Sequence, residues 1–513
     1  MNNLAYIKKL YNGKNCYSDH MSSEELALLH VSSHVEDIIR EMLQKHRIVF
    51  LTGNPGDGKT FIIKAITDTI QQTNAYVQTD INSVGSYDAV CEELLQCYQE
   101  NRAAIIAVNE YPFMVLCKAL RLQSQELYNE IIAVKKSAIT YNLSGPLTGR
   151  VAVVDLNDRN LLDSNAALID TLIQRLIKLL EAEPVTDATL SYNIAALKNA
   201  EIRSQIVSLF GLAAAECEHY AVRDILGALS FMLTSCTTED HAGVPYYTAL
   251  FCSANPLLQA VQHFDPIFLS SPALDEQLWN GEITAGWAMG APQKWPCASE
   301  FDDAIDDAVD CFKSIKRKYY FENAQGRELG RLQPEEIQSS IDAFTLFDSQ
   351  KKKIKERIIR SLNKLFLPSS DEKKLLRIWT THRYDLSQTA AVALSSKAVE
   401  SSALEVERPR PADWLMGMEY IPNHIILKPK GRMQPILALD VDFLRTLNAV
   451  ERGYPVGLLA PQYEQAASMF LQQLDDEGLA EDNDDGEILV ASRKKSYITS
   501  VFVQDGKYGF EED

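Results

Sequence analysis

Residues Gly53-Asn54-Pro55-Gly56-Asp57-Gly58-Lys59-Thr60 carry the spacing G-x-x-x-x-G-K-[ST], the pattern of a loop that cradles phosphate. Its glycines let successive backbone N–H groups turn inward around α- and β-phosphates, and the following helix adds its positive end. Lys59 is placed to reach the β- and γ-phosphates and Thr60 to set its hydroxyl on Mg²⁺. The segment Gly53 to Phe61 is therefore the expected binding loop, with ATP and Mg²⁺ as its ligands. An apolar run, Ile48 to Leu51, precedes it and a helix-like run, Thr60 to Ile70, follows. That strand-loop-helix context separates a nucleotide site from a glycine-rich turn.

Hydrolysis also requires a group that holds Mg²⁺ and one that orients or deprotonates the attacking water. Two strand ends compete for these roles. Ile105-Ile106-Ala107-Val108 closes on Asn109-Glu110 beyond one further strand, as suits the acidic strand of additional-strand ATPases, and makes Glu110 the expected base. Asn109 departs from the Asp usual there. Val151 to Asp155 is the rival acidic strand; otherwise it is the next strand, with Asn157 as a polar sensor and Asp155 in the metal shell. Either run is also readable as a buried strand ending in an Asn/Asp turn. An arginine reaching the γ-phosphate, in cis from a lid or in trans within a homo-oligomer, is expected from Arg223, with Arg159 and Arg203 behind it. Arg223 opens an apolar helix, where pairing with Asp224 is the plainer role.

These residues need a scaffold. A chain of 513 residues, 46% hydrophobic, supports several cores. Short apolar strands alternate with helices as far as Asp158, predicting an α/β fold with a parallel sheet whose site lies at the strands' C-terminal edge. We expect a nucleotide-binding core with N-terminal helices over 1–163 and a helical lid over 164–240. A mainly helical middle region follows over 241–408, irregular as far as about 300 where Pro and Gly thicken, then helical and basic from Lys313 to Arg377. A smaller α+β C-terminal domain occupies 409–513, with an acidic loop from Asp475 to Glu487 and a terminal hairpin.

A net charge of −20 argues against coating nucleic acid through the overall field, so DNA contact needs a local basic surface or a partner. Lys313 to Arg331, interleaved with Tyr319, Tyr320 and Phe321, could be such a surface or a solvated helix face followed by a strand of core aromatics. Nine scattered cysteines without a C-x-x-C pair read as reduced thiols of a cytoplasmic protein. No apolar stretch is long enough to span a bilayer and none forms a signal core, so no membrane association is expected.

The flanks of the loop add a resemblance. His30-Val31-Ser32-Ser33-His34-Val35-Glu36, followed by Val49 to Thr60, resembles the ATPase subunit of DNA phosphorothioation-dependent restriction systems, the DptF (DndF) type. Val108-Asn109-Glu110, Val154 to Arg159, Phe264-Asp265-Pro266, Trp279-Asn280-Gly281 and Tyr320-Phe321-Glu322-Asn323 extend it across most of the chain. The resemblance implies an AAA-like phosphate-loop ATPase in a bacterial anti-phage complex. It would work with partner subunits to damage DNA lacking the sulfur-modified backbone, meeting DNA directly or through those partners. Two other readings stay open: a slow nucleotide-dependent switch or scaffold, which Asn109 favours, and a DNA-binding protein with a vestigial loop.

Overall fold

Ile48-Val49-Phe50-Leu51-Thr52 is apolar until its last residue, as befits a strand covered on both faces. In the computed structural model it forms β1 (Ile48–Thr52), buried along its whole length. The structure describes residues 2–11, 23–81, 86–139, 147, 149–162, 167–215, 219–235, 243–326, 332, 335–382, 392–409, 413–415, 418–419, 424–455, 461–483, 486–492, 497–504 and 507–512. The chain divides into two compact units, 1–333 with 411–421, and 334–410 with 422–513.

The first unit opens with helices α1 (Asn3–Tyr11), α2 (Ser23–Leu29) and α3 (His34–Gln44) before β1. After the loop come α4 (Lys59–Ala65), α5 (Thr67–Thr73), β2 (Tyr76–Gln78), α6 (Tyr87–Gln99), β3 (Ala104–Ala107), α7 (Glu110–Gln123), α8 (Gln125–Ile139) and β4 (Val151–Asp155). The four strands form a parallel sheet in the order β2-β3-β1-β4. Leu51 lies opposite Ala107 on one side and Val154 on the other, so the strand ends that carry Asn109 and Asp155 flank the loop. Alternate residues of β1 serve opposite cores. Val49 and Leu51 pack with α3 and α4, while Ile48 and Phe50 pack with α6, α7 and α8. The α/β class with a parallel sheet is thus present, as its sequence pattern predicted.

Beyond the sheet the unit is helical: α9 (Leu168–Glu181), α10 (Ala188–Leu197), α11 (Ala200–Ala215), α12 (Val222–Thr234), α13 (Tyr246–Ala249), α14 (Pro256–Gln262), α15 (Pro272–Trp279) and α16 (Ile305–Glu322). One apolar core joins α1 to α9 through α14. The stretch after 240 is more regular than its Pro and Gly content suggested. Asn255 accepts from the backbone of Leu257 and Leu258, and Pro256 sits at the first turn of α14, where its missing N–H costs nothing.

In α16 three of the four basic residues face inward, and only Lys313 reaches solvent. Lys316 and Lys318 are buried, Lys316 pairing with Asp275, Arg317 with Asp265 and Lys318 with Glu322. Tyr319 and Phe321 are core residues, but they lie on the same helix rather than on a following strand, and the middle of this helix presents neither a phosphate-binding stripe nor a solvated basic face.

The second unit contains α17 (Glu335–Thr345), α18 (Phe347–Phe366), β5 (Leu375–His382), β6 (Val392–Glu400), β7 (Leu404–Glu407), β8 (Ile425–Pro429), β9 (Leu437–Leu439), α19 (Val441–Glu451), α20 (Pro461–Asp476), β10 (Glu481–Asp482), β11 (Ile488–Ser492), β12 (Tyr497–Gln504) and β13 (Lys507–Glu512). Helix stops at Phe366 rather than near Arg377, because Leu367, the residue before Pro368, is extended. The terminal hairpin of β11 and β12 is present and gains β13. The expected acidic loop includes the end of α20 and a two-residue strand, β10, paired with β6. Lys351, Lys352 and Lys353 on α18 are exposed. No helix among the described residues is long and apolar enough to cross a membrane.

Candidate functional site

The loop between β1 and α4 takes a conformation that side chains resist. Gly53, Gly56 and Gly58 have φ of +142°, +101° and +85°. A Cβ on Gly53 would lie 2.6 Å from Asp57 Oδ2, and one on Gly56 would lie 3.1 Å from Arg223 Cβ. Both glycines are therefore required by positive φ and by close approach. Asp57, 3% exposed, ties the loop internally by accepting from the Asn54 N–H. Its other oxygen meets His219 Nε2 at 2.8 Å, and His219 Nδ1 lies 3.3 Å from the Arg159 carbonyl. Burial acts to lower the His219 pKa, but the Asp57 hydrogen bond and charge, helped by the Arg159 carbonyl, leave it above the ordinary value. Lys59 Nζ donates to the carbonyls of Gly53 (2.8 Å) and Asn54 (2.7 Å). Burial lowers its pKa against the pull of Asp57 and Asp155.

A cavity of about 300 Å³ opens at this loop, lined by Pro55 through Phe61. From the strand edge come Thr79 and Asp80 after β2, and Val108 and Asn109 after β3. Arg159 and Arg223 complete its polar rim, and the rest of the wall is mostly aliphatic, contributed by α1, α2, α9 and α12. Arg223 touches the loop directly, since its backbone N–H donates to the Gly56 carbonyl at 3.2 Å; its Nε lies 3.8 Å from Asp224. Arg159 is buried and paired with Glu419 at 3.1 Å. Arg203 is elsewhere, bound to Asp170 and to the carbonyls of Leu197 and Lys198.

The remaining expected residues are placed as follows. Glu110, 58% exposed, opens α7 outside the cavity lining and pairs with Lys135 at 3.2 Å. The same ammonium lies 3.5 Å from Asp155, so the two competing carboxylates share one cation. Asn157 also lies off the lining, its Oδ1 buried without a hydrogen-bond partner and its N–H donating to Asp155. Asp80 and His219 were missed in the sequence. The strand-end rule that drew attention to Asn109 applies equally to the three-residue strand before Asp80. His219 had no signal, because only the fold brings it to Asp57.

The donor set fits a magnesium-bound triphosphate. Three positive-φ glycines, Lys59, the Thr60 hydroxyl and nearby carboxylates are the groups such a ligand uses. Among the described residues no group of three or more His, Cys, Asp or Glu is placed to hold a metal by itself. Mg²⁺ at phosphate sites requires no such cage, since phosphates and waters fill most of its shell. No protein-family model, no curated protein and no solved structure matches this chain.

Proposed function

We propose that this chain is a phosphate-loop ATPase. The observation that carries the reading is the juxtaposition of the positive-φ glycine loop and Lys59 with a cavity closed by Asp80, Asn109 and Arg223. Bound Mg²⁺ would neutralise the β- and γ-oxygens, with Thr60 in its shell and Asp80 or Asp155 behind. Lys59 supplies fixed charge to the same oxygens, and Arg223 reaches them from the helical layer, which then acts as a lid.

In an additional-strand ATPase a strand lies between the acidic strand and β1. The order β2-β3-β1-β4 offers that arrangement if β2 is the acidic strand, with Asp80 its carboxylate and Asn109, at the end of the intervening β3, the polar sensor that orients water. Glu110 is then a helix-start residue held by Lys135. The resemblance to restriction ATPases suggests the use of turnover: driving or licensing damage to unmodified DNA with partner subunits. The pairing of Glu110 and Asp155 by Lys135 also favours a second reading, a slow switch whose nucleotide is held more than consumed.

Steady-state phosphate release with and without DNA tests both. Asp80→Asn should lower turnover about a hundredfold while ATP still binds, and Glu110→Gln should change it less. Wild-type turnover in Asp80→Asn, with loss in Glu110→Gln, would return the catalytic role to Glu110. Slow wild-type release unaffected by DNA would leave the switch.

A further inference from the structure

The aliphatic end of the cavity holds one charged group that its protein partners do not fully satisfy. Glu36 on α3 lines this cavity and is 2% exposed. Its Oε1 lies 2.8 Å from His30 Nε2, and the His30 ring stands edge-on to Phe61 with centroids 4.9 Å apart. Oε2 has no hydrogen-bond partner; the nearest cation is Arg40 Nη2 at 3.8 Å, which donates instead to the Ala65 carbonyl at 3.1 Å. A buried carboxylate oxygen left in this state is costly, and a ligand N–H would relieve the cost.

Its position identifies which part of a ligand supplies that N–H. Phe61 follows the phosphate-binding Thr60, and Leu29, Val31, Leu168 and Leu172 form apolar walls suited to the faces of a planar base. Resting on the phosphate-loop reading above, we infer that Glu36 is a specificity-determining residue that accepts a hydrogen bond from the 6-amino group of adenine. A 6-oxopurine would set a carbonyl oxygen against the carboxylate, two acceptors with no proton between them. His30, held between Glu36 and Phe61, fixes the carboxylate's position.

The test uses the full chain with Mg²⁺ and titrates ATP, inosine triphosphate and purine riboside triphosphate, which lacks any 6-substituent. Inosine is used rather than guanosine because it has no 2-amino group, leaving N1–H, which points to one side of the 6-position, as its only Watson–Crick-edge donor. Wild type should bind ATP about tenfold or more tighter than purine riboside triphosphate, and inosine triphosphate weakest. Glu36→Gln should bring ATP and purine riboside triphosphate close together and strengthen inosine triphosphate, since its amide can donate to the 6-oxo group. Wild type binding all three within about twofold, or Glu36→Gln leaving their ratios unchanged, overturns the inference; the wild-type ratios decide alone if the variant does not fold. If no triphosphate binds, or Lys59→Ala binds ATP like wild type, the phosphate-loop reading itself has failed and the inference falls with it.

Discussion

Two buried polar clusters of the first unit follow opposite rules. Around Glu322, side chains on α10, α13 and α16 satisfy one another: Tyr192 and Tyr246 donate to Oε1 at 2.5 and 3.0 Å, and Lys318 donates to Oε2 at 2.5 Å. The Lys318 ammonium also lies over the rings of Tyr192, Tyr247 and Trp287. Burial, then Glu322, raises the pKa of the Tyr192 and Tyr246 hydroxyls, which keeps them as donors. Near the loop, by contrast, Glu36 Oε2, Thr52 Oγ1 and Asn157 Oδ1 are buried without hydrogen-bond partners. A cluster closed on itself stabilises the fold, whereas an open valence that lines a cavity, as Glu36 Oε2 does, is one that a ligand can complete.

The contrast breaks most readily in the closed cluster. Glu322→Gln leaves Lys318 buried without its counter-ion, and chemical denaturation should show a loss of about 3 to 5 kcal/mol with no change in ATP affinity corrected for folded fraction. A loss below about 1 kcal/mol would mean that this cluster is no more structural than a surface pair. Lys59→Ala should do the reverse, weakening ATP about a hundredfold by calorimetry while leaving the nucleotide-free melting temperature within a few degrees.

The Asp57–His219 pair sharpens the comparison, because it belongs to the loop yet is satisfied. A histidine whose folded pKa exceeds its unfolded value of about 6.5 contributes fully below that pH and loses the contribution as pH rises through the folded value. The stability difference between wild type and His219→Gln should therefore shrink from acid to alkaline pH, starting below about 1 kcal/mol because the ring is partly solvated. A pH-independent difference would show that the pair is neutral. The smallest effect belongs to Glu36→Gln, whose nucleotide-free stability should stay within about 0.5 kcal/mol of wild type by denaturant titration, since Oε2 makes no hydrogen bond to lose.

Much of this was legible from local pattern. The glycine loop, the apolar strand before it and the helix after it declare themselves within a few residues, and so does the α/β alternation. Strand order does not. Nothing near Ala104–Ala107 says that this strand lies directly beside β1, and the expectation for Glu110 depended on that order. Asp80 was obscured by the brevity of β2, and His219 by its distance in sequence from the loop. β5 was absorbed into a helical reading because Leu375 to Arg377 continues a Lys- and Leu-rich run, and only Pro368 marked the change. The inward turn of Lys316 and Arg317 was equally invisible, because their acidic partners Asp275 and Asp265 come from another part of the chain.

The short return of the chain at 411–421 bears on how the protein is made. Leu415 and Met418 complete the core on the α3 and α4 face of the sheet, and Glu419 supplies both the carboxylate for Arg159 and a carbonyl for the Asn160 N–H. Domains emerging from a ribosome generally fold in order, N-terminal first. Here the first unit must wait, its Arg159 lacking a counter-ion and its core a cover, until residues 334–410 have also been synthesised. A chain released before residue 411 would carry the whole glycine loop and still lack the clasp that Glu419 makes with Arg159.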